Sequence, residues 1–235
     1  MIKKLLLSTV ALVSFTACSS SIDGEGPGDI KHQVAVEHIK SIEVDCNCQV
    51  TILQGNENRV EVESHQNIID NLKINSKGNI VLISETQEVD TYNNYRVYLY
   101  VTKELEDLEI SGLTDVKVSG TLNVDKLDLK IKDQARIEEA YIIANEVEIK
   151  AQNQSQINLQ GAVNKLLVKA YDQSNLDLGN FVAYDTEFLA EDNVNFIVNA
   201  KSALIGKASG TALIQYIGDP RKDTKVSDQA QVIKK

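Results

Sequence analysis

Five acidic or amide residues recur at a nearly constant spacing in the C-terminal half of the 235-residue chain. They are Asp133, Asn153, Asp172, Asp192 and Asp228. In a row, their oxygens could bind calcium, which takes about six to eight oxygen ligands, or act as acid and base on a polysaccharide. Asp and Asn are also the residues of tight turns, because they tolerate left-handed backbone. Gly112 and Ser209 hold the same place in two further copies, which favours the turn role.

Two cysteines are the next candidates for chemistry. Cys46 and Cys48 lie in segment 41–53, where apolar residues alternate with polar ones, so both are expected on the buried face of a strand. Free cysteine then packs as a small apolar residue, and this is the favoured interpretation. A disulfide between the two and a two-thiol metal site remain open. Zinc needs about four ligands, and the neighbouring sequence offers no His or further Cys to complete them.

The three histidines give no sign of a catalytic site. His32, His38 and His65 precede the repeat without a ligand-like spacing, and we expect them at the surface or at strand edges. The sequence contains no G-x-S-x-G, phosphate-binding loop or HExxH pattern. It therefore predicts a protein that is not an enzyme and that carries no cofactor and no metal.

A tyrosine cluster is a candidate contact for a ligand or partner. Tyr92, Tyr95, Tyr98 and Tyr100 surround Arg96 within one short stretch, and alternation places Tyr98 and Tyr100 together on an outer face. A flat apolar ring with a polar tip suits stacking on a sugar or contact with a protein. The alternative is that these rings pack within the chain or beneath a sister subunit.

The N-terminus predicts export and lipidation. Residues 1–17 contain Lys3 and Lys4 followed by a short apolar stretch, which is typical of a secretory signal and too short to span a bilayer as a mature helix. The sequence Phe-Thr-Ala-Cys that ends at Cys18 resembles a bacterial lipoprotein signal, which implies cleavage before Cys18 and diacylglycerol on its sulfur. The alternative is an ordinary secretory signal with a chance cysteine. Acyl chains, at about 0.8 kcal/mol per buried methylene, would hold the protein on a membrane.

Segment 18–30 is predicted to be a flexible tether. It is rich in Ser, Gly, Pro and acidic residues, which do not form a core. Ser19 next to the cysteine offers no inner-membrane retention signal of the aspartate kind. We therefore expect a lipid-anchored protein of the cell envelope, at the outer membrane.

Composition narrows the class of protein. The chain has 24 Lys and Arg against 34 Asp and Glu, a net charge of −10, which argues against nucleic acid as a partner. It has no Trp and two Pro, and Val, Ile, Asn and Asp are plentiful, which suits strands and polar turns. We predict one domain over residues 31–235, with N-terminal strands in 31–105 and regular coils in 106–235.

A repeat of about twenty residues is expected to position these side chains. Seven copies align on Gly112, Asp133, Asn153, Asp172, Asp192, Ser209 and Asp228. The residue four places later is apolar in every copy, from Val116 to Val232, and the residue two places later is small or polar in most. This period is typical of a solenoid, whereas propeller blades need about forty residues or more. The fold class predicted is all-β, a parallel β-helix with coils of about 20 residues.

The chain also resembles a known family. The stretches SIEVDCNCQVTILQG, KGNIVLIS and YRVYLYVTKELEDLEISGLTDVKVSG, with the coils after them, are similar to the putative auto-transporter adhesin head (GIN) domain over roughly residues 38–220. Members are common among secreted and lipidated proteins of Bacteroidetes-type bacteria. The resemblance implies a right-handed parallel β-helix and brings no catalytic residues or ligand.

Two functions from different classes follow. The first is a cell-envelope lipoprotein that acts as a non-enzymatic, adhesin-like module and presents its solenoid surface to a glycan or protein. The second is a polysaccharide-active lyase or hydrolase on a β-helix scaffold, and the fold alone does not decide between them. Because a solenoid leaves a strand edge at each end, self-association into a homo-oligomer is also expected.

Overall fold

Parallel strands stack rung upon rung through most of this protein. The computed structural model describes residues 21–235, so the predicted signal sequence and the predicted lipidation site Cys18 lie outside the described residues. The structure is a β-solenoid of about 6 turns whose strands recur about 20 residues apart, with 65% strand and 3% helix. The predicted all-β solenoid is therefore confirmed.

Residues 21–235 contain seventeen strands and one short helix, joined by turns and loops. In chain order they are β1 (Ile30–Ala35), β2 (Ser41–Asp45), β3 (Gln49–Gln54), β4 (Arg59–Ser64), α1 (Gln66–Asn71), β5 (Leu72–Lys77), β6 (Ile80–Glu85), β7 (Tyr95–Val101), β8 (Asp107–Ser111), β9 (Asp115–Asn123), β10 (Lys126–Ile131), β11 (Arg136–Ala151), β12 (Gln156–Ala170), β13 (Asn175–Ala190), β14 (Asn195–Ala208), β15 (Leu213–Ile217), β16 (Arg221–Val226) and β17 (Gln231–Lys234).

The long strands β11 to β14 each run through two corners of the coil and pair in parallel with the next. Their register places like residues above one another: Leu129 pairs with Ile149, Ile149 with Val168 and Val168 with Phe188. All four are buried. Each rung thus contributes an apolar side chain to a continuous core that no rung could bury alone, which is why the apolar residues repeat at the coil period.

Antiparallel strands close the N-terminal end of the solenoid. Strand β4 pairs antiparallel with β1 and β7, and β5 pairs antiparallel with β6. Helix α1 lies between β4 and β5 and buries Ile68 and Ile69. This cover explains why segment 31–105 lacks the regular repeat, since a cap must stop the stacking of strands and must cover the first rung.

Residues 22–28, assigned from sequence to the tether, lie against this N-terminal cap. Ile22 N–H donates to the Glu88 carbonyl at 2.9 Å, and Gly24 N–H donates to the Thr91 carbonyl at 2.7 Å. Asn67 Nδ2 donates to the Asp23 carbonyl at 2.7 Å. Among the described residues, hydrogen bonds to the cap are therefore already present at residues 22–24. We refer to residues 22–28 as the strap.

Candidate ligand-binding surface

The acidic ladder forms one corner of the solenoid. Its five members all have left-handed backbone, with φ between 59° and 68°: Asp133, Asn153, Asp172, Asp192 and Asp228. In the other two copies a glycine does the same, Gly112 at 68° and Gly210 at 71°. The sixth copy therefore aligns on Gly210 and not on Ser209, because the corner needs a residue that tolerates positive φ.

The side chains of this ladder bond to the neighbouring corners. Asp172 Oδ2 accepts the Asn153 backbone N–H at 3.1 Å, and Asn153 Nδ2 donates to Asp133 Oδ1 at 2.8 Å. Asp228 Oδ2 accepts the Gly210 N–H at 3.2 Å. Among residues 21–235 no group of three or more His, Cys, Asp or Glu is placed to hold a metal ion. These contacts favour the turn role of the ladder over catalysis.

The two buried cysteines are joined to each other. Cys46 and Cys48 form a disulfide and are both buried. Of the three interpretations left open by the sequence, the structure shows the disulfide, and the favoured interpretation of free packing thiols is corrected. Thr114, two places after the corner glycine, lies beside the bridge: its Oγ1 accepts the Cys46 N–H at 3.2 Å and lies 2.8 Å from the Cys46 carbonyl oxygen.

One histidine differs from expectation. His32 and His38 are exposed, but His65 is 1% exposed. Its Nε2 accepts the Asn93 N–H at 3.3 Å, so Nδ1 carries the proton and donates to the Gly26 carbonyl at 3.0 Å. The strap contains glycine at positions 24 and 28 because it passes directly over this ring: a Cβ at Gly24 would collide with the imidazole. His65 thus fastens the strap to the cap.

The tyrosine cluster divides between the core and the surface. Tyr95 is 1% exposed, and Tyr92 packs edge-to-face against it at a centroid distance of 5.6 Å. Burial and the neighbouring Glu85 raise the pKa of Tyr95 far above its usual range. Burial also raises the pKa of the Glu85 carboxyl, although its Oε1 accepts the Asn47 N–H at 2.9 Å. Tyr92 and Tyr95 thus belong to the packing of the cap.

Tyr98 and Tyr100 lie on the outer side of β7 and are partly exposed. The guanidinium of Arg59 lies 3.4 Å from the Tyr100 ring centroid and covers that ring. Arg96 pairs with Glu63 at 3.7 Å. Of the five residues proposed as a ligand contact, Tyr98 and Arg96 therefore keep most freedom to meet a partner.

A more exposed pair of aromatic residues lies on another side of the solenoid. Tyr141 is 45% exposed and Tyr184 is 60% exposed. Between them run three outward-facing apolar residues on successive strands, Ile143 paired with Ala162 and Ala162 paired with Val182. We call the surface of residues 121–123, 141–145, 160–164 and 180–184 the neutral face. Its apolar stripe crosses three rungs.

Amide and hydroxyl groups fill the rest of the neutral face. The outward polar residues are Thr121, Asn123, Asn145, Gln160, Asn164 and Asn180. Asn164 Nδ2 donates to Asn145 Oδ1 at 3.0 Å, which fixes one pair of amides along the stacking direction. No residue in the four ranges is charged. The face therefore offers rings, methyl groups and neutral hydrogen-bonding groups only.

The side of the coil that follows the neutral face along the chain, formed by β10 and by the C-terminal parts of β11 and β12, is strongly charged. Lys130, Lys150 and Lys169 lie one above another on β10, β11 and β12. Carboxylates stand in the next column, and Lys169 Nζ lies 2.7 Å from Glu148 Oε1. Exposed pairs of this kind contribute only about 0–1 kcal/mol each, and they offset the repulsion between stacked lysines. Charge is thus dense on this side of the rod and reaches the border of the neutral face at Glu146, Lys165 and Asp185, but no charged residue lies within the four ranges.

A cavity of about 760 Å³ lies at the loops that follow β1, β3 and β7. It is open to solvent, and its lining includes Glu37, His38, Glu57 and Lys103. Asn58 holds its walls together, because Nδ2 donates to the Glu37 carbonyl at 3.2 Å and Oδ1 accepts the Thr102 N–H at 3.0 Å. No sequence pattern indicates this cavity, because its lining comes from three separate turns.

Stacked parallel rungs and an N-terminal end covered by antiparallel strands define a capped β-solenoid. The model of the family described as putative auto-transporter adhesin, head GIN domain, matches residues 38–220. The chain belongs to this family, as its resemblance to it predicts. Membership indicates a non-enzymatic, adhesin-like protein of the cell envelope or surface. Within residues 21–235, no helix has the length and apolar character needed to cross a bilayer.

Solved structures share the fold. A putative adhesin from Bacteroides fragilis superposes with a TM-score of 0.81 at 15% identity, over 91% of this chain and 100% of that one. A putative lipid binding protein from Parabacteroides distasonis gives 0.72 at 16% identity, over 92% and 99%. A putative adhesin from the same species gives 0.69 at 18% identity, over 92% and 100%. No curated protein matches the sequence.

Proposed function

We propose that this protein is a lipid-anchored, non-enzymatic binding module of the outer membrane, which presents the side of its solenoid to a glycan or protein. Membership in the adhesin head family is the observation that carries the adhesin-like role. The anchor is supported by the lipoprotein-type sequence that ends at Cys18. Acylation there supplies membrane affinity without a basic patch, which suits a chain of net charge −10.

Binding is favoured over catalysis by what the acidic ladder does. Asp172 and Asp228 each accept a backbone N–H of the neighbouring corner, Asp133 accepts the Asn153 side-chain amide, and all five ladder residues adopt the left-handed backbone of the turn. A catalytic pair of carboxylates must instead converge on a substrate, at about 5–10 Å from each other across a cleft. The most exposed aromatic residues, Tyr141 and Tyr184, lie on an open side of the rod and suit recognition of a surface ligand.

Phase separation in detergent tests the anchor. The full chain is expressed in a diderm host and extracted with a detergent that clouds on warming. The wild type is expected in the detergent phase, and Cys18→Ser in the aqueous phase, because the variant lacks acyl chains. Equal partitioning of both proteins would contradict the anchor and would leave the binding role to its own test.

Screening against immobilised glycans and envelope proteins tests the binding role. Every bound glycan is then incubated with the protein, and the products are searched for new reducing or unsaturated ends. Binding without cleavage is the expected result. Released fragments would overturn the non-enzymatic role in favour of a polysaccharide lyase or hydrolase.

A further inference from the structure

The geometry points to the neutral face as the site of a neutral polysaccharide, bound across the stacked rungs between Tyr141 and Tyr184. This inference rests on the proposed binding function and names the ligand class and the site. The two tyrosines and the stripe of Ile143, Ala162 and Val182 form its floor.

Charge selects the chemical class of the ligand. The whole chain carries 58 charged residues, 24 basic and 34 acidic, yet none lies within the four ranges of the neutral face. A charged ligand lying within these ranges would lose hydration without an ionic partner there, and at the border the exposed Lys165 is already paired with Glu146. A neutral ligand with hydroxyl groups loses less, because the Asn and Gln amides beside the stripe replace hydrogen bonds to water.

The size of the face argues against a protein as its occupant. Four strands about 4.8 Å apart, with about five residues each at about 3.3 Å, make a patch of roughly 300 Å². A stable protein–protein interface buries about 800 Å² on each partner. The neutral face supplies less than half of that area, and a second copy of this chain would meet the same limit. A segment of polysaccharide needs a narrower surface.

The positions of the rings fit an extended ligand. Tyr141 and Tyr184 are separated by two rungs and by about four residues along the strand, which corresponds to about 16 Å from the spacings of a β-sheet. The face of a pyranose ring is apolar and stacks on an aromatic ring, while its hydroxyls point sideways towards hydrogen-bonding groups. Asn164 and Asn145 lie beside the path between the two tyrosines, joined to each other at 3.0 Å.

The backbone of the surface is held in place by strand pairing before any ligand binds. Three of its four strands, β11, β12 and β13, pair on both sides, and the residues that alternate with the outward ones, such as Ile142 and Phe181, are buried in the core. At Gly161 the strand passes so close to β11 that a Cβ would overlap the Ile142 carbonyl oxygen. A preorganised surface binds with little loss of conformational entropy, which is what a shallow site needs.

Biolayer interferometry on the detergent-purified full chain tests the inference. The probes are four neutral polysaccharides, dextran, mannan, laminarin and xylan, and three anionic ones, polygalacturonate, hyaluronan and heparin. We expect binding to at least one neutral probe, with an affinity that is unchanged between about 0.05 and about 0.5 M NaCl, since no ion pair is involved. Tyr141→Ser/Tyr184→Ser is expected to weaken it by about fivefold to about 150-fold, because each of the two stacked rings contributes roughly 0.5–1.5 kcal/mol and tenfold corresponds to about 1.4 kcal/mol.

Tyr98→Ser/Tyr100→Ser is the matched control, with the same two substitutions on partly exposed tyrosines of β7. It is expected to bind within twofold of wild type. If the control variant lost binding and Tyr141→Ser/Tyr184→Ser kept it, the neutral face would be refuted as the binding site, and the binding function would stand. Binding to anionic probes only, or to an envelope protein only, would overturn the ligand class alone. Failure to bind any glycan or protein would remove both the inference and the proposed function.

Discussion

A single methyl group at Gly161 tests the close stacking of β11 on β12. Gly161 has φ of +115°, and a Cβ there would overlap the carbonyl oxygen of Ile142 on the rung below. Two glycines serve as controls for Gly161→Ala. Gly120 shares a positive φ, +85°, but nothing lies within 4 Å of its Cβ position, and Gly55 has neither a positive φ nor a near neighbour.

The expected losses follow from these three environments. Backbone strain at a position of this kind costs about 1–3 kcal/mol, and forcing an extra carbon into a packed site costs about 1–3 kcal/mol more. Alanine also restricts the unfolded chain more than glycine does, which stabilises the folded state of each variant by about 0.4–1 kcal/mol. Gly161→Ala should therefore lower the free energy of unfolding by about 1–5 kcal/mol. Gly120→Ala should lower it by about 1 kcal/mol, and Gly55→Ala should leave it unchanged or slightly raised.

Urea unfolding, followed by circular dichroism of the strands, measures the three values under one set of conditions. The chain has no Trp, so tyrosine fluorescence serves as the second probe. The order of stability expected is Gly55→Ala, then Gly120→Ala, then Gly161→Ala. If Gly161→Ala proved as stable as Gly55→Ala, the two strands could not approach as closely as described, and the register of the rungs would be refuted.

Three further predictions concern buried polar groups and the disulfide. Thr114→Val should lower the free energy of unfolding by about 1–3 kcal/mol, because the Cys46 N–H and carbonyl lose their hydroxyl partner. Ser155→Ala, at the equivalent place of another coil, should leave it unchanged, since Ser155 Oγ has no hydrogen-bond partner within residues 21–235. Equal losses for the two variants in urea unfolding would contradict this. Replacing Cys46 and Cys48 together by Ala should lower the free energy of unfolding by about 1–2 kcal/mol, as expected for a disulfide that closes a very small loop. A reductant should have no further effect on this double variant. A double variant as stable as oxidised wild type would show that the disulfide does not stabilise the fold. Burial raises the pKa of Glu85 above its ordinary 4.5, so ionisation of this carboxyl destabilises the folded protein as pH rises above that value. Glu85→Gln should therefore be more stable than wild type at pH 7 and equally stable below about pH 4. A stability difference that grows towards low pH would contradict the raised pKa.

The solenoid is readable from the sequence because its spacing rules are local. Each corner needs a residue that tolerates positive φ, so Asp, Asn or Gly recurs there, and the residue four places later must point into the core. The register error at Ser209 has the same origin. Gly210 and Ser209 both suit a turn, and only the backbone φ shows which of them stands at the corner.

The candidate surface was harder to predict. Four tyrosines close together in sequence predict a contact surface on β7, but Tyr95 is in the core and Arg59 covers Tyr100. Tyr141 and Tyr184 are 43 positions apart in the chain, and only the stacking of coils brings them to one face. One signal was available: the run Tyr-Ile-Ile-Ala at 141–144 places apolar residues at outward positions, where alternation otherwise predicts polar ones.

The N-terminal cap could not be derived from periodicity. His65 precedes α1, and its contacts come from the Gly26 carbonyl and the Asn93 N–H, about 40 and 28 residues away in sequence. Such long-range partners leave no regular spacing. The glycines of the strap also suit a flexible linker by composition, and only the ring beneath them explains why small residues are needed there.

Distances between spin labels test the stacking of rungs most directly. Gln49 lies in one outward column with Asn175, Asn195 and Gln231, which are four, five and seven rungs away. In a Cys18→Ser background, each of three variants carries one spin label at position 49 and a second at one of the partner positions. The distances between the two labels should be about 19, about 24 and about 34 Å, an increase of about 4.8 Å per rung. Distances that fail to rise in this order would contradict the solenoid and, with it, the neutral face.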